Sequence, residues 1–165
     1  MLKADNRTVA KLGLTHRQLA EPIYHLWNLE LWGLEKGRMG RFLGVDHILY
    51  RGRRIDLKIQ SSKGWQESIF DDEIKGNSQF DIRREPTRGE AAFLASRYPP
   101  EKLATVLARL SSMHTGEMVA YYIMRYGFYE GHTSYRADPL AIAFIFGLRS
   151  AEDIEAAFPG ALRAR

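Results

Sequence analysis

Between residues 54 and 60 the chain alternates strictly between polar and apolar side chains, which restricts this segment to an extended strand. The apolar residues are Ile55, Leu57 and Ile59. They fall on one side of such a strand, so the pattern predicts one buried face and one face open to water. A shorter segment over 46–50 and an Arg51–Gly52 turn precede it, which predicts a β-hairpin over about 45–60.

Helical signals lie on both sides of this hairpin. Before it, apolar residues recur at helical spacing from Ile23 to Leu34, after a capping box formed by Thr15 and Gln18. Pro22 is predicted to restart this helix, because proline is tolerated in a first turn and disrupts a helix interior. The first helix is therefore expected to consist of two parts.

After the hairpin, residues 80–83 are predicted to add a strand, and the rest of the chain is dominated by helix signals. Thr87 and Glu90 form a second capping box, and Glu101–Met113 carries an apolar stripe at helical spacing. Asp138-Pro139 supplies an N-cap and a first-turn proline for the apolar segment that follows.

The predicted fold is α+β: a helix-rich single domain over 1–165, in which a small antiparallel sheet, the hairpin at about 45–60, packs against several helices. Within it we expect an N-terminal helix plus hairpin over about 15–84 and a C-terminal helical part over about 87–158. Residues 61–64 are predicted to form a turn directly after the hairpin.

Composition narrows the class of protein. A chain of 165 residues with 45% hydrophobic residues has the size and composition of one globular domain. It contains no cysteine, which excludes disulfides and thiolate metal sites and favours a reducing compartment. The N-terminal residues contain no apolar segment of signal-peptide length, and the longest apolar run, 140–148, is far shorter than the ~20 residues that cross a bilayer. We therefore expect a soluble, cytoplasmic protein without a membrane partner.

Charge is distributed unevenly along the chain. Residues 36–63 contain eight basic residues against two acidic ones, whereas residues 67–85 contain six acidic residues against three basic ones. A basic block of this kind is typical of a surface that binds a polyanion such as nucleic acid. The alternative is that the two blocks neutralise each other across one surface of the folded protein.

Three polar residues of the hairpin have the spacing of a metal-dependent nuclease site. Asp46 begins the first predicted strand, and Asp56 and Lys58 share the polar face of the second. Two carboxylates can hold Mg²⁺ or Mn²⁺ through oxygen ligands, and a nearby lysine can orient water or stabilise phosphate charge. The segment resembles the restriction-endonuclease-like nucleases, whose motif places an Asp in one strand and an acidic-x-Lys tripeptide in the next. The resemblance implies that Asp46, Asp56 and Lys58 are catalytic and that Asp46 and Asp56 bind the metal.

Nucleic-acid binding without cleavage is an alternative use of the same hairpin. Its basic residues can contact phosphates, and the nearby Tyr50 and Trp65 can stack on bases. The predicted nucleic-acid contacts are Arg51, Arg53, Arg54 and Lys63. A further alternative is a solvated hairpin whose charges pair across the strands, each pair contributing less than ~1 kcal/mol.

A second cluster of aromatic and polar residues lies in the segment 126–138, between two predicted helices. Aromatic rings with a few convergent polar groups are typical of ligand pockets and protein-interaction patches. The predicted ligand or partner contacts are Tyr129, Glu130, His132, Tyr135 and Arg136. In the alternative interpretation the aromatic residues fill the core, and Arg136 pairs with Asp138 or Glu130 to hold the loop.

Together these patterns favour a nucleic-acid-associated protein that uses a basic hairpin, with metal-dependent phosphodiester cleavage as its most specific form. In that form Mg²⁺ or Mn²⁺ is the expected cofactor. The sequence contains no P-loop, dinucleotide-binding glycine motif or serine-hydrolase elbow that would indicate another. The alternative from a different class is a non-enzymatic protein-interaction or structural protein whose partner docks on the segment 126–138.

Overall fold

The fold is that of a computed structural model, which describes residues 2–35, 42–43 and 47–160, with side chains described for 3–26, 47–61 and 64–160. This part of the chain contains seven helices and five strands. The helices are α1 (Leu2–Lys11), α2 (His16–Glu35), α3 (Arg88–Arg97), α4 (Pro100–Ser111), α5 (Val119–Tyr126), α6 (Pro139–Ile145) and α7 (Ala151–Ala157). The strands are β1 (Phe42–Leu43), β2 (His47–Tyr50), β3 (Arg53–Glu67), β4 (Lys75–Arg83) and β5 (Ser112–Gly116).

The five strands form one antiparallel sheet in which β3 has partners on both sides. On one side β2 pairs with the start of β3, and β1 pairs with β3 further along, at Ile59 and Gln60. On the other side β3 pairs with β4, and β4 pairs in turn with β5. The predicted small antiparallel sheet is confirmed, and it contains three strands beyond the predicted hairpin.

The alternation in β3 gives the sheet one buried face and one open face, as predicted. Ile55, Leu57 and Ile59 are at most 3% exposed and join the hydrophobic core with Phe80 and Ile82 of β4. All seven residues of α6 are buried, and α6 contacts β5 and the helices α1, α2, α4 and α7. The core therefore lies between the sheet and α6, and the helix-rich α+β fold class is confirmed.

The proline in the first long helix does not restart it. Pro22 lies inside α2, while the predicted capping box is present, with Gln18 N–H donating to Thr15 Oγ1 at 3.2 Å and Thr15 N–H donating to Gln18 Oε1 at 2.8 Å. Pro22 is buried, like its neighbours Leu19 and Ile23. Burial of this apolar surface offsets the helical hydrogen bond that proline cannot donate.

The predicted turn at residues 61–64 is also wrong, because these residues belong to β3. β3 pairs with β4 on both sides of an irregularity between Ser61 and Gln66. The polar, glycine-containing composition of this segment is typical of a turn, but the strand continues through it because β3 pairs with β4 before it at Ser61 and after it at Gln66.

The helix predicted over Glu101–Met113 ends earlier than expected. α4 stops at Ser111, and residues 112–116 form β5, whose alternate residues Met113 and Thr115 are buried. A five-residue strand shows only two apolar–polar periods, so it is difficult to distinguish from the end of an amphipathic helix.

One buried ion pair connects the end of β4 to α3 and α6. The Arg84 guanidinium donates from Nη1 to Glu90 Oε2 at 2.9 Å and from Nη2 to Glu90 Oε1 at 3.1 Å. Its Nε donates to the carbonyl oxygen of Phe144 at 3.1 Å, and the guanidinium lies 4.1 Å from the centre of the Phe144 ring. Glu90 also accepts from the backbone N–H of Thr87 at 2.8 Å, which completes the predicted capping box.

The pKa of Glu90 reflects this environment. Burial by itself raises the pKa of the carboxyl, but hydrogen bonds from Arg84 and Thr87 and the positive charge of Arg84 outweigh burial. The pKa therefore lies below its ordinary value of 4.5. The carboxylate is ionised at neutral pH and neutralises a guanidinium that is only 2% exposed.

Removal of the Glu90 charge is expected to destabilise the protein strongly. Glu90→Gln leaves the Arg84 guanidinium buried without its counter-ion, which should lower the free energy of unfolding by about 3–5 kcal/mol. The matched control is Glu85→Gln, because Glu85 pairs with Arg83 at 2.6 Å while the two side chains stay 67% and 65% exposed. The loss of this exposed pair should cost less than ~1 kcal/mol. Urea unfolding at neutral pH measures both differences.

The loss of stability in Glu90→Gln should depend on pH. Because folding lowers the pKa of Glu90, its ionised form stabilises the protein above pH 4.5, and this contribution is lost as the pH falls through the lowered value. The stability difference between the wild type and Glu90→Gln should be largest at neutral pH and shrink in acid. Equal losses for Glu90→Gln and Glu85→Gln at neutral pH would contradict the role of the buried pair.

Candidate functional site

The hairpin tip has the tight turn that the sequence predicts. Arg51 and Gly52 connect β2 to β3 with φ angles of 49° and 72°, the left-handed conformation that two-residue hairpin turns require. Gly52 adopts this conformation without steric cost, and Arg51 does so at the exposed end of the sheet. The Arg51 guanidinium carbon lies 5.7 Å from the centre of the Tyr50 ring. The turn therefore places Arg51 at an exposed position beside the Tyr50 ring.

An open cleft surrounds this turn and is called the basic tip cleft below. It is lined by Arg51, Gly52, Arg53, Arg54, Asp56, Arg84, Glu85 and Thr87. Arg53 lies so close to Gly147 that a Cβ atom there would overlap its side chain, and its Nη1 is 4.0 Å from Glu90 Oε1. Arg54 is more exposed, at 62% of its side chain, compared with 34% for Arg53. Arg53 is thus held against the core, and Arg54 extends into solvent.

The acidic residues of the basic tip cleft are paired with arginines. Asp56 accepts a hydrogen bond from Arg54 Nε at 3.1 Å and lies opposite Arg83 in the β3–β4 register. Glu85 pairs with Arg83. Among the lining arginines, Arg84 is buried and neutralised by Glu90, so three arginines face two carboxylates along the cleft. The excess of guanidinium groups makes the cleft suitable for anions.

The predicted nuclease residues are only partly described by the structure. Asp56 and Lys58 lie on the open face of the sheet, as expected from the alternation in β3. Asp46 lies outside the described residues, so the metal pair Asp46 and Asp56 stays a prediction. In the described part of β2 it is His47 that lies opposite Asp56. No group of three or more His, Asp or Glu residues that could hold a metal ion occurs within the described ranges.

The predicted nucleic-acid contacts fall into two groups by their position on β3 and its turn. Arg51, Arg53 and Arg54 come together in the basic tip cleft. Lys63 lies much further along β3, and its side chain is outside the described part of the structure. Trp65 is 67% exposed but also lies near the far end of β3, away from the turn.

A histidine–carboxylate pair on the open face was not predicted from the sequence. His114 Nδ1 of β5 lies 2.6 Å from Asp81 Oδ1 of β4, and Gln60 Nε2 donates to Asp81 Oδ2 at 3.4 Å. The His114 ring lies 5.1 Å from that of Tyr135, and Asp81 is opposite Lys58 in the strand register. Such a pair can accept and donate protons. The sequence does not indicate this pair because His114 follows Asp81 by 33 residues in the chain.

Two residues of the predicted ligand loop anchor it to the core instead. Tyr129 is fully buried, and its hydroxyl is hydrogen-bonded to His16 Nδ1 at 2.9 Å. Burial raises the pKa of Tyr129 and lowers the pKa of His16. Arg136 donates from Nη2 to Asp5 Oδ1 at 2.5 Å and from Nη1 to the carbonyl oxygen of Gly131 at 3.1 Å.

The partners that the alternative interpretation of this loop gives to Arg136 are therefore wrong. Its counter-ion is Asp5 of α1, which is 4% exposed, rather than Asp138 or Glu130. Asp138 instead pairs with Arg109 at 3.1 Å and accepts from the backbone N–H of Leu140 at the start of α6. The pairing was not predictable because Asp5 and Arg136 are separated by 131 residues.

Glu130 and Tyr135 are the two loop residues that line a second cleft, called the polar cleft below. It lies between the loop and the ends of β4 and β5 that are remote from the hairpin tip. Its lining includes Asn77, Ser78, Gln79, Gly116, Glu117 and Met118. Gln79 Nε2 donates to the Tyr135 hydroxyl at 3.0 Å, and the Thr115 hydroxyl donates to the Tyr135 carbonyl oxygen at 3.0 Å. His132 is exposed and does not line this cleft.

Glu130 has an unusual local environment. Its backbone is left-handed, with a φ of 61°, a conformation that costs a non-glycine residue of order 1–3 kcal/mol. Its side chain is partly buried, and within the described ranges its carboxylate has no hydrogen-bond or ion-pair partner. Burial raises the pKa of this carboxyl. Backbone strain and an unpaired acid thus coincide at the edge of the polar cleft.

Scans of the chain against family models, curated proteins and solved structures find no match. Within the described ranges, no helix has the length and apolar character needed to span a bilayer.

The contrast between anchoring and exposed loop residues can be tested. Arg136→Met leaves the Asp5 carboxylate buried without its guanidinium, so the free energy of unfolding should fall by about 3 kcal/mol. His132→Ala, in the same loop, removes an exposed side chain and should change it by less than ~0.5 kcal/mol. Thermal or urea unfolding measures both. Similar small effects for the two variants would show that the Arg136–Asp5 pair does not hold the loop.

Proposed function

We propose that the protein binds nucleic acid through the basic tip cleft, using phosphate contacts from Arg51, Arg53 and Arg54. The proposal rests on the concentration of three solvent-accessible arginines around one projecting two-residue turn. Guanidinium groups bind phosphate oxygens with two parallel hydrogen bonds, and phosphate contacts supply most of the affinity of sequence-independent binding.

The shape of the tip also supports this proposal. β4 pairs with β3 only from Asp56 onward, so the first three residues of β3 form a two-stranded ribbon with β2. A two-stranded ribbon fits the major groove of duplex DNA. The Arg84–Glu90 pair lies beside this ribbon, and Arg53 lies against Gly147, so the base of the tip is fixed. A fixed base reduces the ordering that binding would otherwise require.

The proposal has a catalytic form, in which Asp46, Asp56 and Lys58 cleave phosphodiester bonds with Mg²⁺ or Mn²⁺. The position of Asp56 and Lys58 on the same open face, beside the basic tip cleft, favours it. The Asp56 carboxylate accepts a hydrogen bond from Arg54 in the structure, so a metal ion would have to replace that contact. Cleavage is therefore tested separately from binding.

Substitution of the exposed tip arginines should weaken binding to duplex DNA. Arg51→Ala combined with Arg54→Ala removes two cations from the basic tip cleft, so affinity should fall about tenfold or more. The slope of log affinity against log salt should become shallower by about two, since each phosphate contact releases about one counterion. Fluorescence anisotropy with labelled duplex between about 50 and 200 mM salt measures both quantities.

The control for this experiment removes the same charge elsewhere. Arg97→Ala combined with Arg125→Ala removes two exposed arginines from α3 and α5 and should leave most of the affinity. Equal losses for the two double variants, or binding that does not depend on salt, would refute binding at the tip. That outcome would favour the alternative of a protein-interaction or structural protein.

Plasmid nicking tests the catalytic form. The wild type should nick supercoiled DNA in the presence of Mg²⁺ or Mn²⁺, and Asp56→Asn should abolish nicking because it removes a metal-binding charge. The matched control is Glu101→Gln, which removes an exposed carboxylate of α4 outside the nuclease motif and should leave nicking unchanged. Absence of metal-dependent nicking by the wild type would restrict the proposal to binding.

A further inference from the structure

We propose that the polar cleft binds a primary ammonium group, with the Glu130 carboxylate as its counter-ion. The group can belong to a small alkylamine or to a lysine side chain, because both present the same three N–H donors. This site is separate from the basic tip cleft. From Arg54 to Gln60, the residue opposite Gln79, β3 extends about 20 Å.

The charge of the polar cleft favours a cation. None of the described residues that line it is basic, and two of them are glutamates. Glu117 is buried and accepts a hydrogen bond from the backbone N–H of Asn77 at 2.5 Å, so its carboxylate has a structural partner. Glu130 has no such partner within the described ranges. A cationic ligand would supply the missing counter-ion.

The groups beside Glu130 complete the recognition of an ammonium ion. Gln79 donates from Nε2 to the Tyr135 hydroxyl, which leaves its carbonyl oxygen as an acceptor in the cleft. The Tyr135 oxygen has a further lone pair, and its ring can attract a cation through its π face. A carboxylate, an amide oxygen and a phenol oxygen thus line one cleft, and an ammonium group carries three donors for acceptors of this kind.

The conformation of Glu130 allows a ligand-binding role to be distinguished from a structural role by experiment. A glutamate in the left-handed conformation, partly buried without a partner, destabilises the fold that contains it. Glycine at this position would remove both the strain and the unpaired charge. If Glu130 serves to bind a ligand, Glu130→Gly should produce a more stable protein that has lost the ligand.

Amide chemical-shift titration with n-butylamine, which is cationic at neutral pH, provides the test. We expect saturable shifts at Gly116 and Gln79, and no saturable shifts there with butan-1-ol, which has the same alkyl chain without charge. A blocked Gly-Lys-Gly peptide distinguishes the two sources of the amine. Tighter binding of the peptide than of butylamine assigns the site to a lysine side chain, and the reverse assigns it to a small amine.

Four variants test whether the chemical-shift changes arise from binding in the polar cleft. Glu130→Gln should weaken butylamine binding about tenfold, as expected for the loss of a charge-assisted hydrogen bond. Gly116→Ala should weaken it as well, because the added methyl group lies 3.9 Å from Glu130 Oε1, in ordinary contact without a clash. Glu130→Gly should lose binding while its melting temperature rises by about 2–4 °C. Glu152→Gln, an exposed carboxylate on α7, is the matched control and should bind as the wild type does.

The proposal is overturned if butan-1-ol produces the same shifts as butylamine, or if Glu130→Gln binds butylamine as tightly as the wild type. It is also overturned if Glu130→Gly melts at a lower temperature than the wild type and still binds. The melting temperature is measured together with binding because it distinguishes a destabilised variant from a folded variant that no longer binds the ligand.

Discussion

The buried ion pair between Arg84 and Glu90 is the contact on which the arrangement around the hairpin depends. It joins the end of β4 to the first turn of α3, and through the Phe144 carbonyl it joins both to α6. A charge pair in such a position stabilises a fold only if its hydrogen bonds are nearly complete. Here the guanidinium uses all three of its nitrogens, and the carboxylate also caps a helix.

Two surfaces of opposite chemical character lie at opposite ends of the sheet that this ion pair joins to α3 and α6. The basic tip cleft has an excess of arginines, whereas the described lining of the polar cleft contains glutamates and no basic residue. Between them the open face of the sheet carries polar side chains, including Lys58, Asp81 and His114. The overall charge of +4 is therefore a poor guide to function, because affinity for an anion or a cation depends on the local charge of each cleft.

The sequence predicts several local features of this molecule, misses others such as the continuous helix at Pro22, and does not indicate the long-range pairs. The strand over residues 54–60, its turn and the capping boxes follow from neighbouring residues, and each is present. Pairs such as Asp5 with Arg136 or Asp81 with His114 join residues far apart in the chain, and no periodicity indicates them. The strain at Glu130 likewise depends on a backbone angle that residue type does not reveal. The hairpin could thus be named as a candidate site from the sequence, while the polar cleft required the folded chain.

The central claim is that phosphate-bearing ligands contact the hairpin tip. Its most direct test is the set of backbone amide shifts that a short duplex DNA produces in the wild-type protein. DNA binding at the tip should produce the largest shifts at residues 50–56 and 84–87, with the lining of the polar cleft around Gly116 and Glu130 unchanged. Shifts concentrated at the polar cleft, or an unchanged hairpin tip in a protein that binds DNA, would contradict it.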